Sequence, residues 1–328
     1  MGARINARGG VYGTALQASA AKGHKNIVEF LLQHGAEINA EGGHYGTALQ
    51  QAAAGGHTDT VEILLQKGAE INAQGERYGT ALQAAAAEGH KGGHYGTALQ
   101  SAAAKGHMDT VKLLLQQGAD INAHGLYYGT ALQVAANNGH KNIVEFLLQK
   151  GAEINTQGGR YGTALQAAAD NGHKDIVEFL LQQGAEINAQ GRDHGTALQV
   201  AVAKGHKDTV QLLLQQGAEI NAQGGPYDTA LQAAAAEGHK DTVKLLLQEG
   251  ADINAQGGHY GTALQAAVAR GHKDIGAEIN VQGGHYGTAL QAAADNGYKD
   301  IVNLLLQQGT EISTQSGNYG SVPYVAAA

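Results

Sequence analysis

Residues 162–191, GTALQAAADNGHKDIVEFLLQQGAEINAQG, contain the pattern that decides the fold. Thr163 has the chemistry of a helix N-cap, and Gln166 follows three residues later, which is the capping-box arrangement. The alanines after Gln166 predict a first helix whose small side chains let neighbouring helices approach closely. Gly172 ends this helix, because glycine adopts the left-handed C′ conformation at little cost.

A second helix is predicted directly after Gly172, and Asp175 is suited to cap it. Gly184 ends the second helix as Gly172 ends the first, and Asn188 leads into a Gly-rich turn. Apolar residues with helical periodicity form a stripe on this helix: Ile176, Val177, Leu180 and Leu181. One such helix pair cannot bury its own apolar faces, whereas stacked copies can, so the sequence predicts a linear solenoid.

The same pattern recurs along the whole chain. The dipeptide Gly-Thr, or its equivalent, begins at residues 13, 46, 79, 96, 129, 162, 195, 228, 261, 287 and 320. Eight of the ten intervals are 33 residues long, and the other two are 17 and 26. The high glycine content, 49 of 328 residues, therefore reflects this periodicity and does not indicate a flexible linker.

The unit resembles the ankyrin repeat in its segments T-A-L-Q-x-A-A, G-H-x-x-x-V, L-L and G-A-x-I-N-A, from Gly2 to Ser313. Ala and Gln stand where the ankyrin consensus has Pro and His, and a Tyr precedes the Thr by two residues. The resemblance implies an all-α ankyrin-repeat solenoid of paired antiparallel helices with hairpin-like loops. The phrase GGHYGTALQAAA is also similar to ankyrin arrays of filamentous fungi, which often form the C-terminal region of receptor-like proteins with a NACHT domain.

The array is expected to be one domain, 1–328, with two defects. We divide it into the tail of a partial repeat (1–12), two full repeats and a half (13–91), a regular block of five repeats (92–260), a truncated repeat (261–286), and a last full repeat with a partial one (287–328). Neighbouring repeats show that 16 residues are missing after Lys91 and seven after Ile275. Each defect is expected to expose apolar surface and to weaken the solenoid. The incomplete ends suggest a fragment or the product of a degraded locus.

Composition excludes several classes of function. The net charge is −8, without a basic stripe, which argues against nucleic acid as the partner. Apolar stretches such as 210–214 are too short to cross a membrane. The chain has no cysteine, and therefore neither disulfides nor thiolate metal sites. This fits a reducing compartment, so we expect a cytoplasmic protein, with the nucleus as the alternative.

The sequence offers no candidate catalytic centre, cofactor site or metal site. The histidines that follow glycine between the two helices recur once per repeat, about 8–10 Å apart on stacked helices, so one ion cannot collect several of them. We expect them to bond nearby backbone. The Gly-rich loop 258–262 lacks a phosphate-binding G-x-x-x-x-G-K-[ST] motif, and no serine lies in G-x-S-x-G. We therefore expect a non-enzyme without cofactors.

Two series of positions vary between repeats: the loop before the Tyr and the end of the first helix. Stacking would align each series in a row, a plausible extended surface for a protein partner of unknown identity. The candidate partner-binding residues are Arg77, His94, Tyr127, Arg160, Asp193, His259, Lys105, Asn138, Asn171, Lys204, Glu237 and Arg270. Tyr127 and Arg160 are the favoured hot spots, because Tyr and Arg dominate interface energetics.

The predicted function is a non-enzymatic protein-interaction scaffold, a recognition array detached from a fungal receptor-like protein, and monomeric by default. Two alternatives remain open. The variation at exposed positions is also compatible with neutral drift, and the chain with a passive spacer or the product of a degenerating gene that has no dedicated partner.

Overall fold

The structure, a computed structural model, describes residues 4–42, 46–73, 96–125, 129–191, 195–259, 261–272, 289–299 and 302. The chain forms two compact units, an N-terminal unit of residues 1–168 and a C-terminal unit of residues 169–328. All regular secondary structure in the described residues is helical. Each 33-residue repeat is named below by the threonine that opens it, such as the Thr14 repeat.

Each fully described repeat has a short first helix and a longer second helix. In the N-terminal unit these are α1 (Ala15–Ala21), α2 (Lys25–Gln33), α3 (Ala48–Ala54), α4 (Thr58–Gln66), α5 (Ala98–Lys105), α6 (Met108–Gln116), α7 (Ala131–Asn137) and α8 (Lys141–Gln149). The boundary between the units falls within α9 (Ala164–Asp170). The C-terminal unit continues with α10 (Lys174–Gln182), α11 (Ala197–Ala203), α12 (Lys207–Gln215), α13 (Ala230–Ala236), α14 (Lys240–Gln248), α15 (Ala263–Ala269) and α16 (Ala289–Asp295).

In the repeats whose opening threonine lies in the described residues, the first helix begins at the predicted capping box. In the Thr163 repeat, the Thr163 backbone N–H donates to Gln166 Oε1 at 2.7 Å, and the Gln166 N–H donates to Thr163 Oγ1 at 3.2 Å. Gly172 follows this helix with φ of 70°, and Gly184 follows the second helix with φ of 90°. Both glycines have the left-handed conformation that the sequence predicts for a helix end.

The prediction that Asp175 caps the second helix is wrong. α10 begins at Lys174 and its N-cap is His173, without a side-chain cap hydrogen bond. Asp175 lies inside the first turn, where a carboxylate favours the positive end of the helix dipole. An N-cap histidine can instead bond another repeat. In the next repeat, His206 is the N-cap of α12, and its ring bonds the backbone of the preceding repeat.

The loops between repeats are narrow hairpins closed by a single β-bridge. Gly158 pairs with Gly162 in the N-terminal unit, and Gly224 pairs with Asp228 in the C-terminal unit. The Gly158 N–H donates to the Gly162 carbonyl at 3.1 Å. These bridges are the hairpin-like loops expected from the resemblance.

The core lies between stacked helices and consists of small and branched aliphatic residues. Leu132 and Ala135 of α7, and Ile143 and Val144 of α8, are at most 1% exposed. First helices contact first helices within each unit: α1 with α3, α3 with α5 and α5 with α7 in the N-terminal unit, and α11 with α13 and α13 with α15 in the C-terminal unit. Each unit is therefore an all-helical repeat solenoid.

Buried polar side chains also join each repeat to the next. Gln17, which caps its own helix, donates from Nε2 to the Ala40 carbonyl at 3.0 Å. In the C-terminal unit, Gln199 Nε2 donates to the Ala222 carbonyl at 2.7 Å and to the Asp228 carbonyl at 2.6 Å. In these repeats one glutamine thus forms hydrogen bonds both with the start of its own helix and with the loop that leads into the following repeat.

Histidine and asparagine form two further series of links. His140 Nε2 lies 3.1 Å from the Ala104 carbonyl, which belongs to the preceding repeat. The expectation that these histidines bond backbone is confirmed, and the acceptor lies in the preceding repeat, 36 residues earlier for His140. The Glu37 N–H donates to Asn6 Oδ1 at 2.9 Å, and asparagines of later repeats accept in the same way.

The repeats on either side of residues 74–95 are direct neighbours. Gln50 Nε2 donates to the carbonyls of Ala73 and Gly96. The residues joined by the second bond are 46 apart, against 29 for the equivalent pair in a regular repeat. Two other bonds between these repeats are displaced by the same 17 positions. His107 Nε2 lies 3.0 Å from the Ala54 carbonyl, and the Asp120 N–H donates to Asn72 Oδ1.

The expected exposure of apolar surface at this first defect is wrong for the described residues beside it. α3 contacts α5, and Ala54 and Ala98 are 9% and 1% exposed. The contact forms because the two repeats retain the same capping and linking residues. The second defect, after Ile275, lies outside the described residues, and the proposed segment boundaries stay predictions.

Candidate protein-binding surface

The ends of the first helices form a row of exposed positions in the N-terminal unit. Each lies eight residues after the threonine of its repeat, and the contacts between α1, α3, α5 and α7 align them. We call these four residues the N-terminal row: Lys22, Gly55, Lys105 and Asn138. All four are exposed, and Lys105 and Asn138 are predicted partner-binding residues that the structure brings together.

A loop tyrosine lies beside this row. Lys22 Nζ is 5.6 Å from the centroid of the Tyr12 ring, a cation–π contact within one repeat. Asn138 turns back on its own helix, and its Nδ2 donates to the Val134 carbonyl at 2.8 Å. The row therefore combines cationic groups with an apolar aromatic edge.

The equivalent C-terminal row consists of four more predicted residues: Asn171, Lys204, Glu237 and Arg270. Its charges are paired between repeats. Lys204 Nζ is 3.6 Å from Asp170 Oδ1, and Arg270 Nη2 is 3.8 Å from Glu237 Oε1. Because these groups are partly exposed, each pair contributes little to stability. The pairing does neutralise most of the row.

A groove of about 340 Å³ opens beside the C-terminal row. Helix-end residues and loop residues both line it: Asp170, Gln199, Val200, Ala203, Lys204, Gly224, Pro226, Tyr227 and Glu237. Tyr227 donates its hydroxyl hydrogen to Glu237 Oε1 at 2.5 Å, which fixes the loop against the helix end. The two variable series of the sequence thus meet in one groove.

Asp170 and Tyr227 belong to this groove and were not predicted. Asp170 stands one position before the variable series, where alanine is usual, and this exception was a usable signal. Tyr227 is a framework residue present in most repeats, so nothing in its position distinguished it.

The structure describes only some of the predicted loop residues. Arg160 is exposed, and its guanidinium carbon lies 5.8 Å from the centroid of the Tyr161 ring. His259 is also exposed on its loop. The remaining loop predictions lie outside the described residues: Arg77, His94, Tyr127 and Asp193.

Asp228, which directly follows the groove residue Tyr227, has an irregular backbone conformation. It has φ of 76°, a left-handed conformation that glycine occupies at this position in the other described repeats. Its Oδ2 is buried without a hydrogen-bond partner. Burial raises the pKa of this carboxyl above its ordinary value, and a backbone hydrogen bond from Gly224 partly offsets the effect.

The described residues contain no group of three or more histidines and carboxylates placed to hold a metal ion. None of the helices in that part of the chain is long and apolar enough to span a bilayer.

Comparison with known proteins identifies the repeat. The family model described as ankyrin repeats (3 copies) matches residues 2–75, 77–158, 155–224 and 231–316. Among solved structures, the crystal structure of the human ASB11 ankyrin repeat domain is similar, with 24% identity and a TM-score of 0.58. That alignment covers 73% of this chain and 99% of the human chain, and it shows the fold alone.

No curated protein matches the sequence. Ankyrin repeats are generally protein–protein interaction modules, and their fold is typically a non-enzymatic scaffold. The family model covers most of the chain, and the capped helix pairs and bridged loops agree with it. The chain therefore belongs to the ankyrin-repeat family.

Proposed function

We propose that this chain is a non-catalytic array that binds a protein partner through the rows at the ends of its first helices. One observation carries the proposal. Framework side chains are buried or bonded between repeats, whereas the row side chains that differ between repeats are exposed or half-exposed at equivalent positions. A rigid row of dissimilar side chains can recognise an extended segment of another protein.

The finer proposal is a recognition array of a fungal receptor-like protein that acts in the cytoplasm. It is supported by the similarity of GGHYGTALQAAA to fungal arrays and by the absence of cysteine. The competing proposal is a passive spacer without a dedicated partner. The ion pairs Lys204–Asp170 and Arg270–Glu237 favour this alternative locally, because they pair the cations of the C-terminal row with carboxylates of this chain.

Affinity capture with matched variants tests the proposal. The immobilised full chain is compared with a row variant, in which the row residues Lys105 and Asn138 and the loop residue Arg160 are changed to Ala. The control variant changes three exposed or half-exposed side chains of the second helices, Lys112, Lys141 and Glu145, to Ala.

We expect one protein to be retained by the wild type and the control and lost by the row variant. Circular dichroism would show unchanged helicity in all three chains. Retention of no specific protein, or equal loss with both variants, would support the passive spacer. Catalytic turnover by the purified chain would contradict the non-enzymatic assignment.

A further inference from the structure

We propose that one side of the Thr14 repeat is a second interaction surface, which binds the terminal helix pair of an ankyrin-type array on another polypeptide. The inference goes beyond the proposed function, because this surface includes none of the row residues. We call it the α1–α2 face, and it consists of Ala15, Ala18, His24, Ile27, Phe30 and Leu31.

The first step of the argument is the exposure of apolar side chains on α2. In the described parts of the chain, the exposed large aliphatic and phenylalanine side chains all belong to this repeat or the loop before it: Val11 (57%), Ile27 (49%) and Phe30 (57%). Ile27, Phe30 and Leu31 are spaced i, i+3 and i+4, so they share one side of the helix. Apolar side chains gathered on one exposed side mark an interaction surface, because their burial is favourable.

The second step is that α8, elsewhere in the same unit, shows what covers such a side. α8 has the same sequence as α2, KNIVEFLLQ. Its Ile143 and Leu147 are 0% exposed, and they are the counterparts of Ile27 and Leu31. α6, the second helix of the preceding repeat, contacts α8. Identical side chains are thus buried where the second helix of an ankyrin repeat lies beside them.

The third step is that α1 is uncovered as well. Ala15 is exposed and Ala18 is half-buried. Their counterparts in α7, Ala131 and Val134, are 1% and 0% exposed, and α7 contacts α5, the first helix of the preceding repeat. Both helices of the Thr14 repeat therefore lack the cover that a helix pair provides in the stacked repeat, so a helix pair fits the face better than a single helix.

A polar group on the face indicates the same occupant. The rings of His57 and His140 bond the carbonyls of Ala21 and Ala104, which belong to the first helix of the preceding repeat. His24 has the same position in its repeat, but its ring forms no hydrogen bond with any described residue. The end of a first helix leaves carbonyls without a partner in the helix, so a docked helix pair would supply the acceptor.

The loop beside the face restricts the partner further. Asn6 Oδ1 accepts the Glu37 N–H at 2.9 Å, just as Asn122 accepts the Glu153 N–H at 3.0 Å. Asn122 lies in the loop that follows α6, so residues 4–7 already fill the corresponding loop position beside α2. A partner whose chain continued into such a loop would compete with them. The face therefore fits a helix pair at the end of an array, whose chain stops after the second helix.

Surface plasmon resonance with the immobilised full chain tests the inference. The uncapped probe is a consensus ankyrin array of three repeats whose chain ends after its last second helix, and the capped probe carries an added polar capping repeat at that end. We expect saturable binding of the uncapped probe and at least tenfold weaker binding of the capped probe, because its last apolar face is already covered.

Variants of the full chain locate the contact. Ile27→Glu/Phe30→Glu should weaken binding of the uncapped probe at least tenfold, because it would bury two charges. The matched control Gln66→Glu/Gln116→Glu adds the same charges at the exposed ends of α4 and α6 and should change binding less than twofold. His24→Ala should weaken binding about fivefold, the effect of one hydrogen bond, and leave the urea midpoint of the free chain unchanged. Circular dichroism would show that all variants keep their helicity.

Four results would overturn the inference: no binding of the uncapped probe, equal binding of the capped probe, equal loss in the control variant, or self-association of the full chain that Ile27→Glu/Phe30→Glu abolishes while no probe binds. The last result would make a second copy of this chain the occupant. The row variant separates this surface from the proposed function. It should bind the uncapped probe as the wild type does, and loss of the probe in the row variant would place the contact on the rows and contradict the inference.

Discussion

At the scale of single residues, the glutamine of T-A-L-Q serves both its own helix and the next repeat. Gln133 accepts the Thr130 N–H through Oε1 and donates through Nε2 to the Thr156 carbonyl at 2.9 Å. Gln133 is 1% exposed, so a backbone group that loses its hydrogen bond to this side chain stays buried away from water.

Replacement of this glutamine should destabilise the array. Gln133→Ala removes a cap acceptor and leaves buried carbonyls unpaired, and at about 1 kcal/mol or more per bond we expect a loss of about 2–4 kcal/mol. Urea unfolding followed by circular dichroism measures the effect. The control Gln149→Ala, at the exposed end of α8, should change stability by less than about 0.5 kcal/mol. Equal effects of the two substitutions would contradict the dual role.

Asp228 is the residue at which a substitution should stabilise the protein. At the equivalent Gly195, an added Cβ would lie 1.9 Å from Gln199 Oε1, and Asp228 also has an unfavourable positive φ. Asp228→Gly should therefore increase the free energy of unfolding by about 1–2 kcal/mol. Urea titrations of both proteins measure the difference, and a loss of stability would contradict this account of the position.

The same substitution should change the pH dependence of stability. The folded-state pKa of Asp228 is raised, so the folded chain holds this proton more tightly than the unfolded chain. The wild type therefore loses stability as the pH rises through the raised pKa. The advantage of Asp228→Gly should be larger at pH 7 than at pH 4, and Asp228→Asn should show the same trend because it also removes the titrating group. An advantage that is greater at pH 4 would contradict the assignment.

At the scale of helices, packing against neighbouring repeats determines how much a given sequence contributes to stability. α2 and α8 both have the sequence KNIVEFLLQ, yet Ile27 is 49% exposed and Ile143 is 0% exposed. Ile143→Ala should cost about 2–4 kcal/mol because it opens a cavity, while Ile27→Ala should cost less than about 1 kcal/mol. Urea unfolding of the two variants provides a matched comparison. Equal losses would mean that burial between repeats does not determine helix stability here.

The helices and their ends could be predicted from the sequence because they depend on local patterns. The capping pair Thr163–Gln166 and the glycine at 172 act within one repeat, and the structure confirms them. The histidine acceptors could not be predicted, because His140 bonds a carbonyl of another repeat and its position reveals only that it recurs. The prediction for Asp175 was wrong because aspartate is favoured both at the N-cap of a helix and in its first turn, and the sequence does not separate the two positions.

In the candidate site, too, features that depend on one repeat could be predicted, and contacts between repeats could not. Variation between repeats located the two rows, since exposed positions carry no packing constraint. It did not reveal that Lys204 and Arg270 pair with acids of preceding repeats, because an ion pair across repeats depends on stacking geometry. Tyr227 was missed since a constant residue is read as framework.

At the scale of the molecule, direct stacking across residues 74–95 makes part of the chain dispensable for the fold. Deletion of residues 75–91 joins Gln74 to Gly92 and restores a 33-residue spacing between Thr47 and Thr97. We expect the urea midpoint of the shortened chain to stay the same or to rise, because every inter-repeat bond of the flanking repeats is retained. Deletion of residues 97–129, a matched control that also preserves the period, should lower it because it removes a whole stacked repeat. A large loss of stability in the first deletion would contradict direct stacking.

The central claim is that the repeats stack in register across this segment and so build one row, and a distance between Lys22 and Lys105 tests it most directly. The chain has no cysteine, so Lys22→Cys/Lys105→Cys can be spin-labelled without background and compared with Lys22→Cys/Asn138→Cys by pulsed electron paramagnetic resonance. With about 8–10 Å per step, we expect about 16–20 Å for the first pair and about 24–30 Å for the second. A first distance equal to the second, or too broad to resolve, would contradict the claim.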